Sequence, residues 1–196
     1  MIGNFIKAKG QACSILRTPP VDSKVSMTLA TRGYSDNREL FREGLILADS
    51  ELQGGEVFTV GAETFLTRSV SFDPQCGQIA FMATKANAVL SHQRAVETVV
   101  GSNIVLTWQE ITANVYATAE AITAALLREE PGLLPNTKWI FYISSAVPIL
   151  KMDRLQFADG TKCQVEDIDR LRLLGLLRIQ CSDDLRLGEL EEDEEP

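Results

Sequence analysis

The sequence predicts a mainly β protein: two tandem small antiparallel β-barrel or sandwich domains, arranged as an internal duplication. Three observations carry that expectation. Short apolar runs with period two recur at intervals of roughly ten residues. Glycine-led turns separate them. The apolar pattern of the first half then returns at an offset of 98 residues, half the chain.

The first unit, residues 1–98, opens its strand series at Lys24–Ala30, where polar and apolar residues alternate as in a half-buried strand. Gly44 to Ala48 is a short apolar run. Glu56–Val60 follows the turn signal Gly54-Gly55, and Gly61 breaks before Thr64–Phe72. A loop at Asp73-Pro74-Gln75-Cys76-Gly77 leads into Gln78–Thr84. Residues 85–101 look less strand-like. Ala86 to Val96, which contains His92, is expected to be a short helix in the connection between the domains.

The second unit, residues 99–188, has strand candidates at Asn103–Trp108 and Ile111–Glu120, the latter with Ile111, Ala113, Val115 and Ala117 on one face. Ile122 to Leu127 fits strand or helix. Lys138–Ile143 is rich in aromatic and β-branched residues and is the clearest strand in the chain. A closing module of strand, turn, strand, loop and strand runs from Lys151 to Cys181, with Asp159-Gly160 as its hairpin turn. The 98-residue offset places Val57 on Leu155, Phe65 on Cys163, Val70 on Ile168, Gly77 on Gly175 and Phe81 on Ile179. A duplicated module presents one kind of surface twice, which suits packing in a ring or stack.

The formal charge of −8 is uneven. Residues 1–98 balance ten bases against ten acids, whereas six acids crowd the last eight residues, Glu189–Pro196. Residues 189–196 are therefore expected to be a solvated acidic tail. The body carries no basic patch suited to gripping nucleic acid. No stretch reaches the roughly 18 uninterrupted apolar residues of a membrane helix, and no membrane contact is expected. The N-terminus lacks the pattern of a secretory signal.

Catalytic signatures are scarce. His92 is the one histidine, and the four cysteines, Cys13, Cys76, Cys163 and Cys181, form no CxxC pair. The expectation is buried reduced thiols, with no metal and no cofactor. Phosphate-binding and nucleophile-elbow motifs are missing. Asp167, Asp169, Asp183 and Asp184 fit strand ends and turns. Trp108, Trp139, Phe141 and Tyr142 lie in apolar surroundings and are expected to pack in the core. No catalytic residue is assigned. The loops Asp73-Pro74-Gln75 and Arg170-Leu171-Arg172 occupy equivalent ends of the two units, so Asp73, Pro74, Gln75, Arg170 and Arg172 are the candidate subunit or partner contacts.

The stretch Lys138 to Asp184 resembles the head–tail connectors of tailed bacteriophages, the neck proteins called stopper, head-closure or head-completion proteins. The residues that carry the resemblance are Met152-Asp153-Arg154-Leu155, the turn Asp159-Gly160, Cys163 to Ile168 and Gly175 to Ile179. Met152 stands where that pattern tends to have glycine, and Cys163 where an aromatic is common. The resemblance implies a non-enzymatic virion protein that forms a homo-oligomeric ring at the neck. Its partners would be a portal or adaptor protein on one side and a tail terminator or tail tube protein on the other. Genomic DNA would pass through the lumen without sequence-specific binding. The alternatives are a tail-hub or baseplate protein and a β-barrel binding module outside phage.

Overall fold

The computed structural model describes residues 2–30, 38–100 and 103–186. It contains two closed six-stranded antiparallel barrels in tandem. After helix α1 (Ile2–Lys9), the first barrel comprises β1 (Gln11–Ile15), β2 (Val21–Leu29), β3 (Phe41–Ile46), β4 (Val57–Val60), β5 (Glu63–Asp73) and β6 (Gln78–Lys85). The second comprises β7 (Ala88–Val100), β8 (Asn103–Ala121), β9 (Trp139–Ser144), β10 (Arg154–Phe157), β11 (Lys162–Asp169) and β12 (Leu176–Asp183), with helix α2 (Ala124–Glu129) between β8 and β9. Closure removes the sheet edges that a small open sheet would expose.

The duplication is written into the strand order. Around the first barrel the order is β1-β2-β3-β6-β5-β4, and around the second it is β7-β8-β9-β12-β11-β10. In both, the third strand is followed by the sixth, fifth and fourth. The registers agree as well. Phe65 pairs with Lys85 and Val70 with Phe81, while Cys163 pairs with Asp183 and Ile168 with Ile179. Each fifth strand carries a β-bulge, at Arg68 and at Glu166, and those positions are 98 residues apart. The offset is one residue less in the fourth strands, because the hairpin before Lys162 has a longer turn. Phe58, which pairs with Phe65, is therefore the counterpart of Leu155, which pairs with Cys163. The expected match of Val57 with Leu155 is corrected by one position.

Each barrel closes over its own core. Phe58 stacks on Phe65 and meets Phe81 edge-on, both at 5.5 Å between ring centroids. In the second barrel Trp139 and Phe141 pack on Phe157 at 5.5 and 5.7 Å. Such pairs add about 1 kcal/mol each to the area they bury. Cys163 and Cys181 are buried free thiols in this core.

The largest departure from the sequence expectation is at residues 85–101. Ala88–Val100 is a strand, and it pairs with β8 and β10, so the expected helix at Ala86–Val96 is absent. The β-branched Val89, Val96, Val99 and Val100 favour strand over helix. The second barrel therefore begins at Ala88, eleven residues before its expected start at 99. The connection shortens to Ala86-Asn87. Ala86 N donates to Thr64 O in the first barrel at 2.8 Å, and Asn87 N donates to Ala117 O in the second at 3.1 Å. Asn103–Trp108 and Ile111–Glu120 are one strand, in which Val115 and Ala117 are buried but Ile111 is exposed. The left-handed Asn114 (φ +53°) lies within the second stretch, between the exposed Ile111 and the buried Val115. The stretch that fits strand or helix is helical from Ala124, capped by Thr123 Oγ1, which accepts from Leu126 N. The acidic tail at 189–196 lies outside the described residues.

The barrels touch through backbone. A Cβ on Gly55 would lie 1.8 Å from Gly175 O, and one on Gly175 would lie 2.0 Å from Gly54 O. Both glycines are left-handed, with φ of +83° and +78°. Nearby, the Arg68 guanidinium lies 4.6 Å over the Tyr142 ring, and Thr118 Oγ1 donates to Thr84 Oγ1 at 3.0 Å. The bulge at Arg68 thus places a first-barrel cation on a second-barrel aromatic.

Candidate interaction surfaces

The duplicates differ most at their first hairpin. In the first barrel β1 and β2 turn over at residues 16–20, next to the ladder pair Ile15–Val21. In the second, β7 and β8 continue as a two-stranded arm, paired from Gln93–Glu110 out to Val100–Asn103. Barrel pairing stops earlier, since β10 holds β7 only at Leu90–Gln93 and β9 holds β8 only at Ala117–Ala121. Among the described residues no third strand pairs with Arg94–Val100 or Asn103–Leu106. The eight residues Gln93–Val100 span roughly 25 Å at strand rise.

Two polar clusters fix the root of the arm. In the first, the buried Asp153 carboxylate takes four hydrogen bonds. His92 Nε2 lies 2.7 Å from Oδ2, and Arg94 donates to both oxygens at 2.8 Å. Leu150 N also donates to Oδ2 at 2.8 Å. Burial pushes this carboxyl up, but the bonds from Arg94, His92 and Leu150 outweigh it and hold it below the usual range. His92 Nδ1 is buried without a hydrogen-bond partner among the described residues. The arrangement braces β7 against the turn before β10.

In the second cluster Trp108 receives two cations. The Arg154 guanidinium lies 3.6 Å from its ring centroid and that of Arg186 lies 4.6 Å away. Arg154 is 1% exposed, and its Nε donates to Asp184 Oδ2 at 2.6 Å. Arg186 donates to both Asp184 oxygens and, through Nη1, to Met152 O at 2.9 Å. Burial raises the Asp184 carboxyl, yet the hydrogen bonds from Arg186 and Arg154 bring it down to about 2. The expectation that Trp108 packs in the core is corrected: its ring lies outside the aliphatic core and is contacted by two side-chain cations.

Beyond this root the arm is apolar on both faces. Val99 is 71% exposed, Leu106 43% and Val96 39%. Cross-strand neighbours share a face, which puts Val99 and Leu106 on one side and Val96 on the other.

The loops singled out from the sequence do occupy equivalent places, between the fifth and sixth strands of each barrel. Both are shaped by an Asx turn. Asp73 Oδ1 accepts from Gln75 N at 2.9 Å, and Asp169 Oδ1 accepts from Leu171 N at 2.8 Å. Pro74 and Gln75 are exposed. Arg170 Nη2 donates to Ile149 O at 2.9 Å, and Arg172 lies 3.7 Å from Glu130. Leu171 and Leu174, which the sequence reading passed over, are 96% and 85% exposed.

A third difference lies on the outer faces. On the second barrel, residues 130–137 lie across β9 and β12. Glu130 pairs with Arg178, and Gln180 Oε1 accepts from Leu134 N at 2.9 Å and from Thr137 Oγ1 at 3.1 Å. Ile140 points outward yet is buried beneath this cover. The equivalent face of the first barrel is an open groove of about 480 Å³, lined among others by Ser26, Thr28, Leu45, Ser71, Met82 and Glu43, which stands where Ile140 does in the second barrel.

Among the described residues no cluster of His, Cys, Asp and Glu is suited to a metal ion, and no helix is long and apolar enough to cross a membrane. No protein-family model matches the chain, and neither does any curated protein. Among solved structures, that of protein SF1141 from Shigella flexneri 2a is similar, at 15% identity and a TM-score of 0.42. The similarity covers 52% of this chain and 96% of that one.

Proposed function

We propose that this protein is a structural component of a tailed-phage neck. It forms a homo-oligomeric ring that joins the portal or adaptor to the tail terminator or tube and surrounds the DNA channel. The observation that supports this reading is the arm. A two-stranded ribbon alone is marginal in water, and one with apolar residues on both faces and open edges is suited to burial against another chain. The near-neutral charge of the first half suits a lumen through which DNA slides without being gripped. In this reading the loops at Asp73–Gln75 and Arg170–Arg172 meet neighbouring rings.

Electron microscopy of particles assembled without the protein tests the proposal. DNA-leaking heads beside complete free tails are the expected result. Joined particles with defective tips would move the protein to the baseplate, and intact particles would remove it from the virion.

A further inference from the structure

His92 is the only histidine in the chain, and it is wholly buried at the root of the arm. Imidazole is the side chain whose ordinary charge change falls between pH 5 and 8. Its place in this cluster ties the arm to acidity.

The contacts fix where its protons can sit. Asp153 Oδ2 accepts from Arg94 Nη2 and from Leu150 N, and His92 Nε2 lies 2.7 Å from the same oxygen. A bare ring nitrogen there would set lone pair against lone pair, so Nε2 carries the proton. A further proton can go only on Nδ1, which is buried and has no hydrogen-bond partner among the described residues. A buried donor without an acceptor is costly, and more so when it is charged. No counter-charge is free to receive it either. The one Asp153 carboxylate is already matched by the Arg94 guanidinium, which donates to both of its oxygens. The other charged groups around the site have partners of their own. Lys151, in the same turn, pairs with Asp167, Arg154 on β10 pairs with Asp184, and Glu110 on β8 accepts from Ser91 Oγ.

From this we infer that His92 is an acid-sensitive latch: the cluster stays closed while the imidazole is neutral, and a proton on Nδ1 opens it and frees the arm. The inference goes beyond the ring reading and does not depend on it.

The local backbone suits such an opening. The β7–β8 ladder shifts register on both sides of His92, so it is irregular where the root would part. Opening lets Nδ1 reach water. It also breaks the bonds from Arg94 to Asp153 and to Pro148 O, which hold β7 against the turn before β10. Linkage gives the size of the effect. The closed cluster excludes the proton, whereas the open one exposes an ordinary imidazole, which titrates near about 6.5. Lowering the pH from about 7.5 to about 5.5 then favours opening by about ten-fold.

Two measurements on the full chain test the latch. NMR of the ring nitrogens reads the sole imidazole directly, and a neutral ring with its proton on Nε2 is expected at the upper pH. Amide hydrogen exchange, corrected for the intrinsic effect of pH, should show protection of Arg94–Val100 and Asn103–Leu106 falling about ten-fold at the lower pH, while β9 and β12 keep theirs. His92→Gln retains a donor toward Asp153 and takes up no proton, so its arm protection should be equal at the two pH values. A fall of the same size in His92→Gln would overturn the inference. So would a charged ring in the wild-type protein while the arm stays protected, an outcome that decides the matter even if the variant does not fold.

Discussion

Gly55 and Gly175 come from different barrels and meet backbone to backbone, so closely that a methyl group on Gly55 would lie 1.8 Å from the other's carbonyl oxygen. The contact leaves no space for a side chain, and both residues need a left-handed backbone that L-residues disfavour. The two-residue connection is bonded to both barrels, and the Arg68–Tyr142 and Thr84–Thr118 contacts join them as well.

Gly175→Ala should therefore separate the barrels without unfolding either. The expected loss is about 2 kcal/mol from the left-handed strain and the forced shift. Calorimetry should resolve one unfolding transition into two, and small-angle scattering should show a larger radius of gyration. A single unshifted transition would contradict the close approach.

Met152 has φ of +71°, in the region that favours glycine, and its side chain is exposed. Met152→Gly should stabilise the protein or leave it unchanged, by up to about 1 kcal/mol, because relief of strain offsets the freedom gained by the unfolded chain. Urea denaturation measures this. A loss above 1 kcal/mol would mean that Met152 contributes more through its side chain than its exposure suggests.

Asp184 gives the arm root a defined acid sensitivity. Its carboxyl is depressed from 3.8 to about 2, so as pH falls the unfolded chain takes up this proton first. The stability it contributes is complete above about pH 4 and is lost as pH falls through about 2. Asp184→Asn should cost about 3 kcal/mol at neutral pH, because it leaves the Arg154 guanidinium buried without its carboxylate. It should also flatten the acid limb of the stability profile, which a pH series of thermal melts would show.

Trp108→Ala removes the ring that Arg154 and Arg186 both contact. Amide hydrogen exchange should rise along Gln93–Leu106 by ten-fold or more, while the amides of β9 and β12 keep their protection. A uniform rise through the second barrel would mean that Trp108 supports the core and not the arm alone.

Much of this architecture was legible in the sequence. Period-two apolar runs and glycine turns gave the β class, and the 98-residue offset aligned Phe65 with Cys163 and Phe81 with Ile179, which hold equivalent places. The arm was not legible. Its residues extend past the barrel, so Val96 on one face and Glu97 and Val99 on the other meet solvent, and the alternation that marks a half-buried strand is lost. The root clusters were hidden for another reason. Asp153 and Arg94 are 59 residues apart in sequence, and Trp108 reads as an apolar core residue until the positions of Arg154 and Arg186 are known. The groove was invisible because hydroxyl side chains on an outer face look like an ordinary wet surface.

The two bulges, at Arg68 and Glu166, bear on ancestry. An extra residue in a ladder shifts every pair beyond it, and the fifth strands have absorbed that shift at the same step despite almost wholly different side chains. A shared irregularity of this kind is what two copies of one bulged barrel would keep, and the long hairpin of the second barrel and the open outer face of the first are where the two have come to differ.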